Sequence, residues 1–208
     1  MPPAPGSPGV SMNHLAHVLL AGDDELLRLG GLMGDFVRGM PDPGLPPRLV
    51  EGIRLHRAID GFTDSHPDVA AARALFAPPY RRYAGILLDM WFDHCLARDF
   101  ARWSAVPLAR FSDDVRDLLH RHDALLPEGL RRFRGYMDAH DLPAGYLRRE
   151  EIGRALAGIG RRLRRANPLD TALPVLAGLD APLRTRFEAF FPQLQDFARA
   201  WVGTNAVR

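Results

Sequence analysis

The chain has 208 residues, 47% of them hydrophobic and 25% charged, which suits one globular domain with its own core. Its formal net charge of +2 does not make it a polyanion binder by bulk charge, and no apolar run is long enough to span a membrane. All 27 residues of the Lys+Arg count are Arg, so Schiff-base chemistry and a P-loop lysine are excluded.

Helical periodicity dominates and strand alternation is almost absent. Helices are predicted at about 12–21, 24–38, 46–64, 68–76, 79–101, 108–124, 127–139, 145–166 and 181–202. The expected fold is therefore all-α, a compact single-domain helical bundle. Residues 1–11 are rich in Pro, Gly and Ser, with no basic stretch and no apolar core of a secretory signal. They are expected to be a disordered tail ahead of one helical domain over 12–208. Breaks fall at Met40-Pro41-Asp42-Pro43-Gly44, His66-Pro67, Ala77-Pro78-Pro79 and Asn167-Pro168. Pro46 and Pro47 suit a first helical turn, and Asp180 before Ala181-Pro182 reads as an N-cap.

In the first helix, Asn13, His14 and His17 share one side, opposite Leu15, Val18 and Leu19. A histidine pair at i, i+3 can chelate, and His17 is the better functional candidate. Gly30, Gly31 and Gly34 follow in one helix, at a cost of about 1 kcal/mol each against Ala. That cost points to close approach of another backbone or a ligand. Asp35 comes next, as a surface partner of Arg38 or as another carboxylate of a site.

Residues 52–68 hold the sharpest signal. His56, Asp60 and Asp64 recur at i, i+4, i+8 and lie along one side of a helix with Leu49 and Ile53. A carboxylate in line with core residues is expensive unless something pairs with it. Imidazole and carboxylate at this spacing are ligands for a metal ion. Because the three span about 12 Å on a straight helix, they cannot all bind one ion.

Residues 83–96 repeat the pattern. Leu88, Leu96, Ile86, Met90 and Trp91 point all round the helix, as in a buried helix. Asp89 and Asp93 sit on it at i, i+4, with His94 beside them. Cys95, the only cysteine, lies in the same helix and reads as packing; it allows no internal disulfide, and the cytoplasm is the expected compartment. Asp113, Asp117, His120, His122 and Asp123 alternate with Arg116 and Arg121 and read as a solvated, salt-bridged face. Arg131, Arg132 and Arg134, and Arg161, Arg162, Arg164 and Arg165, form two basic clusters, either solvated faces or a docking surface for an acidic partner. There is no dinucleotide fingerprint, Walker loop, serine-hydrolase elbow, His-Glu-x-x-His or EF-hand loop, and no basic stripe interleaved with aromatics for nucleic acid.

Four segments, in order and spacing, resemble the acyl carrier protein phosphodiesterase family: Met12-Asn13-His14-Leu15-Ala16-His17, Gly34-Asp35-Phe36-Val37-Arg38-Gly39, Leu55-His56-Arg57-Ala58-Ile59-Asp60-Gly61-Phe62-Thr63-Asp64, and Leu88-Asp89-Met90-Trp91-Phe92-Asp93-His94. The match is close from Met12 to about Trp103, and Phe190-Phe191-Pro192 is similar to the family's C-terminal end. His14 stands where an aromatic residue is usual, and Gly31 where Asn is usual. The resemblance implies a fold distantly like the helical HD phosphohydrolases, with rearranged topology. It implies a metal-dependent phosphodiesterase that hydrolyses the 4′-phosphopantetheine–serine phosphodiester of holo acyl carrier protein, an activity of fatty acid and lipid metabolism. The products are apo carrier protein and 4′-phosphopantetheine.

By motif matching, the implied site residues are Asp35, His56, Asp60, Asp64, Asp89, Asp93 and His94, with His17. Within that set, Asp60, Asp93, His56 and Asp89 are the expected metal ligands. His94 and His17 are the expected proton donors to the leaving serine oxygen, and Asp64 and Asp35 complete the catalytic set. Arg57 is the expected phosphate clamp. The expected ion is Mn²⁺, with Mg²⁺ or Fe²⁺ as alternatives. The expected partner is an acidic carrier protein, with no nucleic acid and no membrane. The rival reading is a related phosphohydrolase of a nucleotide or small phosphoester; a di-iron oxygenase lacks its Glu-x-x-His pairs here, and a non-enzymatic helical binding module is the remaining alternative.

Overall fold

The computed structural model describes residues 14–205, and these form helices and turns with no strand among them. The expected tail over 1–11, with Met12 and Asn13, lies outside the described residues. The α-helices are α1 (His14–Leu20), α2 (Glu25–Met33), α3 (Pro47–Ser65), α4 (Pro67–Ala74), α5 (Ala84–Arg98), α6 (Leu108–Arg121), α7 (Glu128–His140), α8 (Arg149–Arg162), α9 (Leu173–Gly178) and α10 (Asp180–Asn205). The expectation of an all-α domain is met.

The breaks follow local chemistry. Pro47 opens α3 where its missing N–H costs nothing. α3 ends at Ser65, and the ring of buried His66 accepts the N–H of Asp68 and caps α4, which starts at Pro67. α2 stops at Met33 and continues as a 3-10 turn, Gly34–Phe36, after which Val37 is extended. The expected helix over 145–166 is two pieces, a 3-10 turn at Ala144–Leu147 and then α8. Short α9 was not expected, because six residues behind Pro168 carry too little periodicity. Asp180 starts α10 itself, and both its carboxylate oxygens lie 3.1 Å from Arg98 Nη1 rather than on a cap amide.

One continuous core holds the bundle. α5 runs through it, with Leu87, Met90, Trp91, Cys95 and Leu96 fully buried. α1, α4, α8 and α10 pack around α5. α10 covers the bundle through aromatic contacts, with ring centroids 4.6 Å apart for Phe62–Phe197 and 5.4 Å for Phe92–Phe187. The tightest crossing is α2 on α3. A Cβ on Gly30 would lie 2.3 Å from the Leu49 carbonyl oxygen, and one on Gly52 would lie 2.5 Å from that of Leu27. The glycines of α2 thus serve the close backbone approach that their cost implied. That approach sets α3, and hence His56 and Asp60, against α1 and the end of α2.

Candidate metal and phosphoester site

Residues from three separate elements meet at one point. α1 brings His17, the turn after α2 brings Asp35, and α3 brings His56 and Asp60. His17 Nε2 is 3.2 Å from Asp60 Oδ1, and His56 Nε2 is 3.2 Å from Asp60 Oδ2 and 3.4 Å from Asp35 Oδ1. The two imidazoles stack, with centroids 3.8 Å apart. His56 is closely packed: His17 stacks on it, and a Cβ on Gly34 would stand 2.2 Å from its ring. Its Nδ1–H donates to the Gly31 carbonyl at 2.7 Å, which turns Nε2 towards the carboxylates. This is how a metal-binding histidine is usually set, with the far ring nitrogen on a carbonyl.

The electrostatics describe a site built for a cation. Burial alone lowers the pKa of His56, but its contacts with Asp35 and Asp60 more than reverse this and push it up to about 10. Burial raises Asp60, and His17 and His56 more than reverse that too, holding it below the usual carboxylate range. His17 is lowered, by burial first and then by the neighbouring His56. Asp89, on α5, is pushed up to about 8 by burial first and then by the negative charges of Asp60 and Asp35. Asp35 Oδ2 is buried without a hydrogen-bond partner. Ligand atoms of His17, His56 and Asp60 lie within 4.8 Å of one another. Two imidazole nitrogens and several carboxylate oxygens, with no thiolate, fit an ion of the Mn²⁺ or Mg²⁺ kind.

Other expected site residues are placed elsewhere. Asp93 does not face this point with a free carboxylate. It is fully buried, and it accepts the backbone N–H of Leu15 at 3.0 Å and of Ala16 at 3.1 Å. It satisfies two of the amides orphaned at the start of α1, and so ties α1 to α5. Burial pushes its carboxyl well up, and the two amides pull the other way. Asp64 is exposed and paired with Arg73 at 2.5 Å. His94 donates its Nδ1–H to the Tyr146 carbonyl at 2.8 Å, and its charged neighbours are Arg98, Arg149 and Asp180. Arg57 is exposed, with Nη2 on the Val37 carbonyl at 2.8 Å, at the edge of the turn that bears Asp35.

Two further buried groups are His14, the weaker candidate of its pair with His17, and Tyr146, which no motif marked. His14 is buried beside Asp35, 4.0 Å away, with its ring 4.8 Å from that of Phe133. Tyr146 is 1% exposed with an unpartnered hydroxyl. Position 146 lies in a loop without periodicity, so no sequence signal marked it.

The family model for acyl carrier protein phosphodiesterase matches residues 12–194. The chain belongs to the acyl carrier protein phosphodiesterase family, an enzyme family. Among curated relatives, the acyl carrier protein phosphodiesterase of Serratia proteamaculans (strain 568) is 35% identical over 189 residues, 90% of this chain and 98% of the relative. That of Escherichia coli O6:H1 is 36% identical over 192 residues, 90% of this chain and 97% of the relative. That of Escherichia coli O139:H28 is 37% identical over 188 residues, 88% and 95% of the two chains. No solved structure matches the chain.

Proposed function

We propose that this protein hydrolyses the phosphodiester between 4′-phosphopantetheine and the serine of holo acyl carrier protein, with a divalent ion held by His17, His56, Asp60 and Asp35. The observation that carries this reading is the convergence of those four side chains from α1, α3 and the turn after α2. The relatives' names supply the substrate, and the donor set favours Mn²⁺ over a thiolate-seeking metal. Kinship with the helical HD phosphohydrolases belongs to the same reading, as does a place in the lipid metabolism of the cytoplasm. No helix among the described residues is long and apolar enough to cross a membrane.

When bound, the ion would supply charge neutralisation at the phosphoryl oxygens and an activated water. The chain's residues prepare that chemistry. The Gly31 carbonyl and the stack on His17 fix His56, so its Nε2 is already aimed at the carboxylates. Asp89 adds a further carboxylate on the α5 side. Asp93 holds α1, and therefore His17, against α5. Arg57 stands at the rim, where it can meet the phosphate from outside.

Recognition of the carrier is a separate matter, because the phosphodiester offers a single charge. Arg131 and Arg134 are spent on Asp123, and Arg132 on Glu128. Arg161, Arg162, Arg164 and Arg165 are exposed, and none forms an ion pair among the described residues. Burial raises the pKa of Tyr136 and nearby Arg162 and Arg161 oppose that rise; Tyr136 stacks on Phe133, whose ring lies 4.8 Å from that of His14. This second cluster is therefore the free basic surface of the two, and an acidic carrier is the partner it suits.

The test is incubation of metal-loaded protein with holo carrier protein. Mass spectrometry should show loss of the phosphopantetheine group, and excess chelator should stop the reaction until Mn²⁺ is restored. Turnover of a nucleotide panel with holo carrier protein untouched would overturn the substrate assignment. Full turnover in chelator would overturn the metal.

A further inference from the structure

The centre reaches solvent at Asp60, whose side chain is 36% exposed while His17 and His56 are buried. Three arginines stand beside that stretch of α3. Arg57 follows His56 and spans to the turn after α2, where its Nη2 donates to the Val37 carbonyl at 2.8 Å. That bond brings Arg38, the next residue of the turn, alongside α3. The same turn is tied to the centre itself, because Asp35 Oδ1 is 3.4 Å from His56 Nε2. Arg54 lies one turn before Arg57, and at i, i+3 the two share a helix face, with Cβ atoms about 5–6 Å apart.

This rim carries charge that the chain does not balance. Arg38 and Arg54 are exposed, and neither forms an ion pair or a hydrogen bond among the described residues. The nearest carboxylates in sequence are committed elsewhere: Asp64 pairs with Arg73, Glu51 pairs with Arg48, and Asp42 accepts the Gly44 N–H at 2.9 Å. Like charges on one helix face repel, so carboxylates of another molecule would stabilise the rim. Met40, two residues beyond Arg38, is 92% exposed. Arg and Met are both enriched in protein–protein interfaces, and a bare polyanion gains nothing from a thioether. Gly61 adds no bulk next to Asp60: a Cβ there would meet nothing within 4 Å, so a partner can close on the helix.

We propose that Arg38, Arg54 and Met40 form the docking surface for the carrier protein. The two arginines meet carboxylates that flank its phosphopantetheine-bearing serine, Met40 packs on an apolar residue beside them, and the phosphodiester passes Arg57 to reach Asp60. The name of the partner rests on the phosphodiesterase reading. Its class, an acidic protein surface, rests on the rim alone.

Binding is read at low salt with fluorescently labelled apo carrier protein, which lacks the phosphopantetheine group and so reports the protein–protein contact only. Arg38→Glu with Arg54→Glu should raise Kd about tenfold or more, and should weaken its dependence on salt. KM for holo carrier protein should rise in parallel, with kcat within about twofold. The melting temperature should hold, because neither arginine has a partner to lose. Met40→Ser should raise Kd about threefold and leave the salt dependence as it was. If the Glu pair does not fold, Arg38→Gln with Arg54→Gln decides, with a rise in Kd of about threefold expected. An unchanged Kd in the folded arginine variant would overturn the proposal, as would failure of the wild-type protein to bind either apo or holo carrier. Equally tight binding of a single-stranded oligonucleotide, insensitive to Met40→Ser, would replace the protein partner with a polyanion. If the wild-type protein binds the carrier through this rim but leaves holo carrier protein intact, the docking surface stands and the phosphodiesterase reading fails. If it hydrolyses holo carrier protein and the arginine variant keeps the same KM, that reading stands and the docking surface fails.

Discussion

Asp60 and Asp93 carry the same carboxylate towards the interior and meet different partners. Asp60 faces two imidazoles at 3.2 Å, and Asp93 faces two backbone amides at 3.0 and 3.1 Å. Their truncation should therefore separate activity from stability. If Asp60 holds the proposed ion, Asp60→Ala should lower activity by about a hundredfold or more, with little change in the unfolding midpoint. Asp93→Ala leaves two buried N–H groups unpaired and should cost about 1–3 kcal/mol in denaturant unfolding. A stable but inactive Asp93→Ala would instead place Asp93 at the reacting centre.

Cys95 offers a pH test of the same interior. It is fully buried, and burial pushes its thiol up to about 12. The folded state then resists ionisation between the ordinary thiol pKa of about 8.5 and 12, while the unfolded chain ionises freely. A raised folded pKa means that the contribution is complete below about pH 8.5 and is lost as pH rises towards 12. Native protein at pH 8 should not react with a thiol reagent, and Cys95→Ala should flatten the alkaline part of the stability profile. Rapid labelling of folded protein would contradict the burial.

At the scale of elements, the α2–α3 crossing decides where His56 and Asp60 lie. Helix propensity favours Ala over Gly by about 1 kcal/mol, so the sign of a Gly→Ala change reports packing. Gly30→Ala and Gly52→Ala meet backbone oxygens and should destabilise by about 1–3 kcal/mol. Gly135 in α7 has nothing within 4 Å, so Gly135→Ala should stabilise by about 0.5–1 kcal/mol. Thermal unfolding of the three variants checks this, and a uniform sign would remove the close crossing as the reason for those glycines. Most helices were legible because each buries one apolar stripe with a 3.6-residue period. The 3-10 turn at Gly34–Phe36 and the loop of Tyr146 were not, because three or four residues carry no period.

For the whole molecule, charge distribution separates the two arginine clusters. The arginines at 131–134 are paired with Asp123 and Glu128, and those at 161–165 form no ion pair among the described residues. Reversing Arg161 and Arg162 to Glu should raise KM for holo carrier protein several-fold at low salt, with kcat little changed. The difference should shrink at high salt, since exposed charges are screened over about 8 Å at physiological ionic strength. Equal KM values at low salt would reduce this surface to a solvated face.

The sequence by itself determined the helical class and the buried character of α5, and it singled out His56 and Asp60 as candidate site residues. Hydrophobic period and the i, i+4 placement of His56 and Asp60 are local properties that survive without a fold. Packing alone decided which carboxylates share a centre. Asp89 and Asp93 look equivalent at four residues' spacing, yet Asp93 meets the start of α1 while Asp89 feels Asp60 and Asp35. Likewise His94 lies next to Asp93 in the chain, but its ring goes to the loop of Tyr146. Successive residues on a helix point about 100° apart, so what each one meets depends on which neighbour packs on that side. That choice is made by long-range contacts such as the Gly30–Gly52 crossing, which no local pattern encodes.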